Sequence, residues 1–342
     1  MGAYFFRRAL LMIPTFLGIT FLVFTITRFV PGGPIEQMMV KMQMAESESG
    51  GGSSNFDGSV QIPDSVREEL EKQFGFDKPF YLAYLDWVSD VVVLDLGTSY
   101  KYRQPVWDIV KSRFPVSIFL GLTGFLLGYL ICIPLGIRKA IRHGGAFDFA
   151  SSVLIFMAYS VPGWALGGLL LVVLGGGSFW DIVPLGGFRG DNWDELTTFA
   201  KIKDQLHHMI LPVFAYTIGS FATLTILMKN SLMENLGQDY VRTAYAKGLG
   251  ERRVVLIHAL RNSLIPICTG LGHALSLVMA GSYLIEKVFN IDGIGYLGYT
   301  SIIERDYAVV MGVLVINVFL MLIGNILSDV LYVLVDPRIR FN

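Results

Sequence analysis

Residues 115–137 read PVSIFLGLTGFLLGYLICIPLGI, and no charged residue lies between Arg113 and Arg138. An α-helix needs about 20 consecutive apolar residues to cross the hydrocarbon core of a bilayer. This stretch therefore predicts a transmembrane helix. Similar stretches elsewhere in the chain would make the fold a bundle of membrane-spanning helices.

The chain contains about six stretches of this kind. They run approximately over residues 9–30, 115–137, 149–174, 209–228, 264–285 and 309–335. Of the 342 residues, 53% are hydrophobic and only 16% are charged, whereas an average soluble domain has about 25% charged residues. A soluble fold of this length cannot cover so much apolar surface. We therefore expect an all-α polytopic membrane protein with about six transmembrane helices.

The composition also excludes other classes of protein. A formal net charge of -1 provides no basic field for binding nucleic acid. Two cysteines are too few for a disulfide scaffold. Cys132 and Cys268 both lie in apolar stretches, so we expect each to be a small buried hydrophobic residue.

The charges between the predicted helices indicate an orientation, because short cytoplasmic loops carry an excess of lysine and arginine. Every second connection is basic, through Arg7, Arg8, Arg138, Lys139, Arg142, Arg242, Lys247, Arg252, Arg253, Arg261, Arg338 and Arg340. The opposite connections are acidic, through Asp181, Asp191, Asp194, Glu195, Asp204, Asp292, Glu304 and Asp306. We therefore predict that both termini and the basic loops are cytoplasmic.

The longest connection, from residue 31 to about residue 112, is predicted to lie outside. Residues 46–55 have the composition of a flexible polar linker. Residues 63–74 predict a short capped helix, and residues 81–93 repeat apolar residues at helical spacing. Two interpretations remain open: a solvated cap over the outer helix ends, or a docking surface or gate for something delivered from outside.

No motif of a phosphate-binding loop, a metal site or a nucleophilic catalyst occurs in the chain. We therefore predict no catalytic, cofactor-binding or metal-binding residue. The pair His207-His208 is expected to be a polar edge at the membrane surface. Asp329 lies within the last apolar stretch, where we expect a structural role, with Arg338, Arg340 or a helix end as its partner.

The loop between the fourth and fifth stretches is the most informative segment. Residues 235–266 read NLGQDYVRTAYAKGLGERRVVLIHALRNSLIP. The pattern predicts a first helix capped by Asp239 and running to Lys247, a reversal at Gly248 and Gly250, and a second amphipathic helix from Glu251. Such an element projects from the bilayer as a rigid knob and can pass force to a soluble partner.

This segment resembles the coupling loop of ABC importer permeases of the dipeptide/oligopeptide/nickel class, in their first permease subunit. The similarity lies in Tyr240-Val-Arg-Thr-Ala-x-Ala-Lys-Gly-Leu-x-Glu-Arg-Arg-Val254 and His258-Ala-Leu-Arg-Asn262. The general signature Glu-Ala-Ala-x3-Gly is matched by Arg242-Thr243-Ala244 and Gly248, so its glutamate is missing, as in the peptide branch. Further motifs lie at residues 30–34, 74–79, 95–99, 105–106, 285–286, 290–297 and 335–338. Residues 32–37, 134–139 and 147–148 resemble the microcin C/oligopeptide transporter permease (the YejB type).

The resemblance implies a type I ABC importer permease fold with an extracytoplasmic insert after the first helix. It implies an N-terminal transmembrane helix at 1–30, a periplasmic insert at 31–112, a transmembrane core at 113–335 with the coupling loop at 229–263, and a cytoplasmic tail at 336–342. The implied partners are a second homologous permease, two cytoplasmic ATPase domains (separate or fused) and a periplasmic peptide-binding protein. ATP and magnesium would bind those ATPases, so this chain would have no cofactor and no enzymatic activity of its own.

Two groups of site residues are predicted. The ATPase-coupling residues are Tyr240, Arg242, Thr243, Ala244, Ala246, Lys247, Gly248, Leu249, Arg252 and Arg253. Polar or aromatic residues on otherwise apolar stretches are candidates to line a wet translocation path, namely Tyr159, Ser160, His273, Ser276 and Asn317. Local packing or a hydrogen bond within a helix is the alternative role for each of the latter.

Two other functions were weighed against an importer subunit. An ion-coupled secondary transporter usually has inverted repeats and buried coupling carboxylates, and the sequence offers no repeat and only Asp329. An intramembrane enzyme would need a nucleophile with a nearby base. The importer permease for peptides is therefore the predicted function, in the inner membrane of a bacterium.

Overall fold

The computed structural model describes residues 2–29, 77–176, 179–268 and 281–335. These residues are mostly helical, and they contain no β-strand, only two isolated bridges. The helices are α1 (Gly2–Phe29), α2 (Phe80–Val92), α3 (Val106–Ile141), α4 (Ala146–Tyr159), α5 (Gly163–Leu174), α6 (Thr198–Leu236), α7 (Asp239–Ala246), α8 (Glu251–Arg253), α9 (Leu260–Ser263), α10 (Tyr283–Val288), α11 (Ile294–Ile303) and α12 (Tyr307–Val335). A π-helical segment, Val254–Ala259, joins α8 to α9.

Four of the described helices, α1, α3, α6 and α12, are long and apolar enough to cross a membrane. A fifth span results if α4 and α5 together count as one. The all-α membrane fold predicted from hydropathy is confirmed. The predicted span at 264–285 falls largely on residues outside the described part, as do the predicted linker at 46–55 and the predicted helix at 63–74. The predicted helix at 81–93 is present as α2.

The apolar stretch predicted as one helix from residue 149 to residue 174 is two helices. α4 and α5 meet at an angle of 88°. Pro162 precedes α5 and has the extended ψ of 136°. Proline has no N–H to donate and disfavours a helical conformation of the residue before it, so the helix breaks here. Hydropathy averaged over a window does not detect this break.

The chain forms two compact units. The first comprises residues 1–12, 112–297 and 317–342, and the second comprises residues 13–111 and 298–316. In the first unit, glycines let helices approach closely. A Cβ at Gly163 of α5 would lie 2.4 Å from the Ala215 carbonyl oxygen of α6, and a Cβ at Gly124 of α3 would lie 2.9 Å from the Tyr216 Cβ. Both α3 and α5 therefore pack backbone-close against α6.

In the second unit, polar contacts join the loop after α2 to the start of α12. Asp306 is fully buried, and its carboxylate accepts a hydrogen bond from the Ser99 hydroxyl. Glu304 forms an ion pair with Lys101. Acidic residues that the sequence placed in an outer loop therefore also hold this unit together.

Asp329 has a partner that the sequence did not indicate. It pairs with Arg8 of α1, and the Tyr4 hydroxyl also donates to it at 3.3 Å. All three residues belong to the first unit. The expected partners Arg338 and Arg340 lie outside the described residues, and the observed pair accounts for a buried carboxylate in an apolar helix.

The adjacent histidines contact backbone. His207 Nε2 lies 2.6 Å from the Ile182 carbonyl oxygen, and His208 Nδ1 lies 2.9 Å from that of Asp204. Within the described part of the chain, no group of His, Cys, Asp or Glu side chains could hold a metal ion. His207 therefore fastens the loop before α6 to the start of that helix, whereas the contact of His208 lies within the helix.

Candidate functional site

The segment of residues 235–266 is anchored by the inner face of α7. Val241 is fully buried and Ala244 is nearly so. They join an apolar cluster whose other buried members are Cys132, Ala140, Leu224, Met228, Leu232, Val254, Val255, Ala259 and Ile267. Because the cluster draws on α3, α6 and the π-helical segment, α7 cannot shift without moving the helices it packs against.

The reversal after α7 is a Schellman turn. Gly248 has φ +76°, a conformation that costs a residue with a side chain about 1–2 kcal/mol. The Gly248 N–H donates to the Tyr245 carbonyl oxygen (2.9 Å), and the Leu249 N–H donates to that of Ala244 (3.4 Å). These two bonds satisfy the last carbonyl groups of α7. The predicted reversal at Gly248 is thereby explained.

The return helix begins after Gly250 and contains a π-helical segment that the sequence did not predict. Over Val254–Ala259 the helix is widened, a feature that often occurs at functional sites. Further on, Ser263 and Ser231 exchange hydrogen bonds, each hydroxyl donating to the other's carbonyl oxygen (3.3 and 3.0 Å). These bonds tie α9 to α6.

The structure divides the predicted coupling residues into two groups. Those that are exposed are Tyr240, Arg242, Thr243, Ala246, Lys247, Gly248, Arg252 and Arg253. Ala244 and Leu249 instead pack against the apolar cluster. The exposed group carries four cationic side chains around the turn. Ala244 and Leu249 hold that surface in place rather than forming part of it.

The predicted cap of α7 is wrong by one residue. Gln238 is the N-cap residue, and Asp239 is the first residue of the helix. The Asp239 carboxylate accepts a hydrogen bond from the Arg242 guanidinium (3.3 Å), three residues further on. A carboxylate in the first turn still stabilises the helix, because it faces the positive end of the helix dipole.

A cluster of charges lies where the end of α3, the start of α4 and the last part of α6 meet. The chain continues from this end of α6 into α7. The Lys229 ammonium group binds both carboxylate oxygens of Asp148 (2.8 and 2.7 Å). The Lys139 ammonium group lies 3.0 Å from the same carboxylate, and it also donates to the hydroxyls of Ser151 (2.7 Å) and Ser152 (2.8 Å). One carboxylate therefore fixes three helices relative to one another.

Sequence reasoning missed this cluster. Lys139 was counted as a loop cation, but it belongs to the last turn of α3 and is fully buried. Counting charges along the chain gives the orientation of a loop but not the depth of a side chain. The only signal in the sequence was Asp148, an acidic residue that follows a basic loop closely.

The described part of the structure does not assemble the candidate path residues into one site. Tyr159 is exposed at the end of α4. The Ser160 hydroxyl donates to the Phe156 carbonyl oxygen (2.8 Å), which is the local hydrogen bond weighed above as its alternative role. The side-chain oxygen of Asn317 is buried and has no hydrogen-bond partner among the residues described. His273 and Ser276 fall between residues 269 and 280, outside the described part.

The chain can be compared with known proteins. The sequence profile of the family described as "Binding-protein-dependent transport system inner membrane component" matches residues 132–341. This match includes the 235–266 segment, together with α4 to α12.

Individual relatives are similar over their full length. The chain is 40% identical to the peptidoglycan transport system permease protein YejB of Agrobacterium fabrum, over 100% of this chain and 99% of the relative. It is 39% identical to the inner membrane ABC transporter permease protein YejB of Escherichia coli O157:H7, over the same shares. It is 34% identical to the oligopeptide transport system permease protein AppB of Bacillus subtilis, over 100% of both chains.

Proposed function

Because this chain belongs to the family of binding-protein-dependent transport system inner membrane components and is the permease of an ABC importer, we propose that it imports peptides. It forms half of the translocation pathway and couples to ATPase domains through residues 229–263. Asp329, the carboxylate that the sequence offered to an ion-coupled secondary transporter, forms an ion pair with Arg8.

The exposed basic turn at Gly248 is the observation that carries the coupling role. It combines a cationic surface with a rigid attachment to α3 and α6 through Val241 and Ala244. Charge on the surface favours docking of an acidic partner groove. Rigid attachment lets movement of that partner reach the membrane helices as a rigid-body rotation.

The complete transporter consists of this chain, a second homologous permease, two ATPase domains and a periplasmic peptide-binding protein. The family's description supports a binding-protein partner in general terms. The ATPases bind ATP and magnesium below the coupling turns, and the termini and the basic loops of this chain face the cytoplasm. Closure of the ATPase pair draws the two coupling turns together and turns the cavity from inward-open to outward-open.

The coupling role is tested by changing the turn without touching the membrane helices. Gly248→Pro should reduce ATP-driven peptide uptake at least tenfold, because proline cannot adopt φ +76° and removes the N–H that binds Tyr245. Gly248→Ala should reduce it less, since only the strain remains. Gly250→Ala is the matched control, because Gly250 has φ -63° and open space around it. Uptake is measured in proteoliposomes containing the assembled transporter.

Charge reversal tests the surface itself. Arg252→Glu together with Arg253→Glu should uncouple ATP hydrolysis from uptake, while Lys203→Glu, an exposed change at the other end of α6, should not. Normal uptake in both the reversed variant and Gly248→Pro, at wild-type abundance, would contradict coupling through residues 229–263 and leave the permease assignment intact.

Oligopeptides of the microcin C-like class are the proposed cargo. The name of the Agrobacterium fabrum relative makes peptidoglycan a second candidate. Competition in the same uptake assay separates them: excess unlabelled oligopeptide should block uptake of a labelled tripeptide. Stronger competition by a peptidoglycan fragment would favour the second candidate.

A further inference from the structure

Helix α2 packs along the half of α1 that ends at Phe29. The rings of Phe80 and Phe29 contact each other at a tilt, with 5.9 Å between centroids, and Tyr84 lies edge-on to Phe21 at 5.1 Å. Further along α1, the Tyr84 hydroxyl donates to the Leu17 carbonyl oxygen at 2.9 Å. All five residues belong to the second unit, so one flank of α2 is fixed against α1.

These contacts set the depth of α2. Leu17 lies twelve residues before Phe29 in α1, which is about 18 Å along a helix at 1.5 Å per residue. The hydrocarbon core is about 30 Å thick, and α1 is one of the helices able to cross it. The Arg28 guanidinium donates to the Lys78 carbonyl oxygen (3.2 Å), just before α2 begins. α2 therefore starts beside the Arg28 end of α1 and lies along the apolar part of that helix.

A second flank of α2 is apolar and exposed. Tyr81, Leu85 and Val92 are spaced by four and seven residues, so they lie on one side of the helix. Their exposed fractions are 63%, 58% and 77%, and the apolar surface continues through the exposed side chains of Val93 and Leu94. A helix in water rarely presents a continuous apolar stripe of this kind.

The remaining flank is polar. Asp86 and Asp90 are exposed there, four residues apart, and the apolar Leu82 lies four residues before Asp86. Asp86 forms an ion pair with Lys78. α2 thus has the distribution of an amphipathic helix that lies at a membrane surface, with an acidic side for water and headgroups.

We propose that α2 is embedded in the leaflet around the Phe29 end of α1, and that its Tyr81–Leu85–Val92 flank binds lipid acyl chains. The bare surface of α1 identifies the occupant. Leu22, Ile26 and Phe29 are exposed, and among residues 4–29 only Thr20 is buried. The apolar flank of α2 continues this lipid-facing surface. In the topology indicated by the loop charges, the leaflet is the outer one, so residues 80–94 are not a solvated cap.

The test compares two flanks of the same helix by spin labelling. Single cysteines replace Leu85, Val92 or Asp90 in the full-length chain lacking Cys132 and Cys268. The assembled transporter is reconstituted in vesicles of phosphatidylethanolamine and phosphatidylglycerol at 3:1. Collision with dissolved oxygen, which concentrates in acyl chains, is compared with collision with a water-soluble nickel chelate. Leu85→Cys and Val92→Cys should favour oxygen, and Asp90→Cys, the matched control, should favour nickel.

Each other outcome overturns the proposal. Preference for nickel at positions 85 and 92 would show that the apolar flank faces water. Shielding of both positions from both reagents would show that a protein covers the flank, and exposure after removal of the binding protein would identify that protein. Because the three changes are at exposed positions of α2, they leave its packing on α1 intact.

Discussion

Glu286 of α10 is a fully buried carboxylate that organises the turn between α10 and α11. One oxygen accepts the Ser282 N–H (3.2 Å) and the other accepts the Tyr296 N–H (2.6 Å). Room for the carboxylate exists because residue 293 is glycine: a Cβ at Gly293 would lie 2.5 Å from the Glu286 carboxyl carbon. The sequence identified residues 285–286 and 290–297 as parts of a family motif. No local pattern shows that the two parts meet.

The buried carboxyl of Glu286 should make stability depend on pH. Burial raises its pKa from 4.5 to about 7, although the surrounding N–H groups act in the opposite direction. The folded chain therefore binds more protons than the unfolded chain between these values, so stability should fall as pH rises from about 4.5 to 7. Thermal unfolding of the purified protein should show this slope, and Glu286→Gln should flatten it.

The matched control for this pH dependence is Glu195→Gln, which alters an exposed carboxylate and should keep the wild-type slope. An unchanged slope in Glu286→Gln would assign the pH dependence to other groups.

Hydropathy predicted well which transmembrane helices are present, but it did not predict where a helix bends or which helices pair. Long apolar stretches became α1, α3, α6 and α12 because a bilayer demands a continuous apolar helix. The 88° bend at Pro162 was not predicted, because hydropathy averaged over a window does not register a single proline. The pairing of Arg8 with Asp329, 321 residues apart, was not predicted, because it depends on tertiary packing. The 235–266 segment was predicted best, since its glycine and capping signals act locally.

The Asp148 cluster ties three helices together, and its charge balance predicts an order of stability. Asp148, Lys139 and Lys229 together carry one net positive charge. Asp148→Asn leaves the fully buried Lys139 and the half-buried Lys229 without a counter-charge and should cost about 3–5 kcal/mol. Adding Lys229→Met restores the original net charge and should recover part of that loss. Thermal unfolding of both single variants and the double variant measures the coupling.

A double variant whose loss of stability equals the sum of the two single losses would show that Asp148 and Lys229 are not coupled. In that case hydrogen bonds from Lys139 to Ser151 and Ser152, rather than charge balance, would join α3 to α4.

At the scale of the whole molecule, transport requires a route for peptides, whose backbone groups and terminal charges need water or polar side chains. The family resemblance predicted the permease from loop motifs, but motifs in loops do not indicate which side chains line the route. Among the described residues, Asn317 is the strongest candidate to line the route, because its buried side-chain oxygen has no hydrogen-bond partner there. A buried amide oxygen of this kind is costly unless water or cargo reaches it.

Accessibility to thiol reagents tests this route. In a chain with Cys132→Ala and Cys268→Ala, we expect Asn317→Cys and Tyr159→Cys to react with a permanently charged methanethiosulfonate in at least one nucleotide state of the assembled transporter. Leu130→Cys is the control: residue 130 is 70% exposed on an apolar stretch of α3, and a charged reagent does not enter acyl chains. The same scan extends to positions 273 and 276. If a cysteine at 317 stays unreactive in every nucleotide state while the cysteine at 159 reacts, Asn317 faces packed protein and the route runs past the bend between α4 and α5.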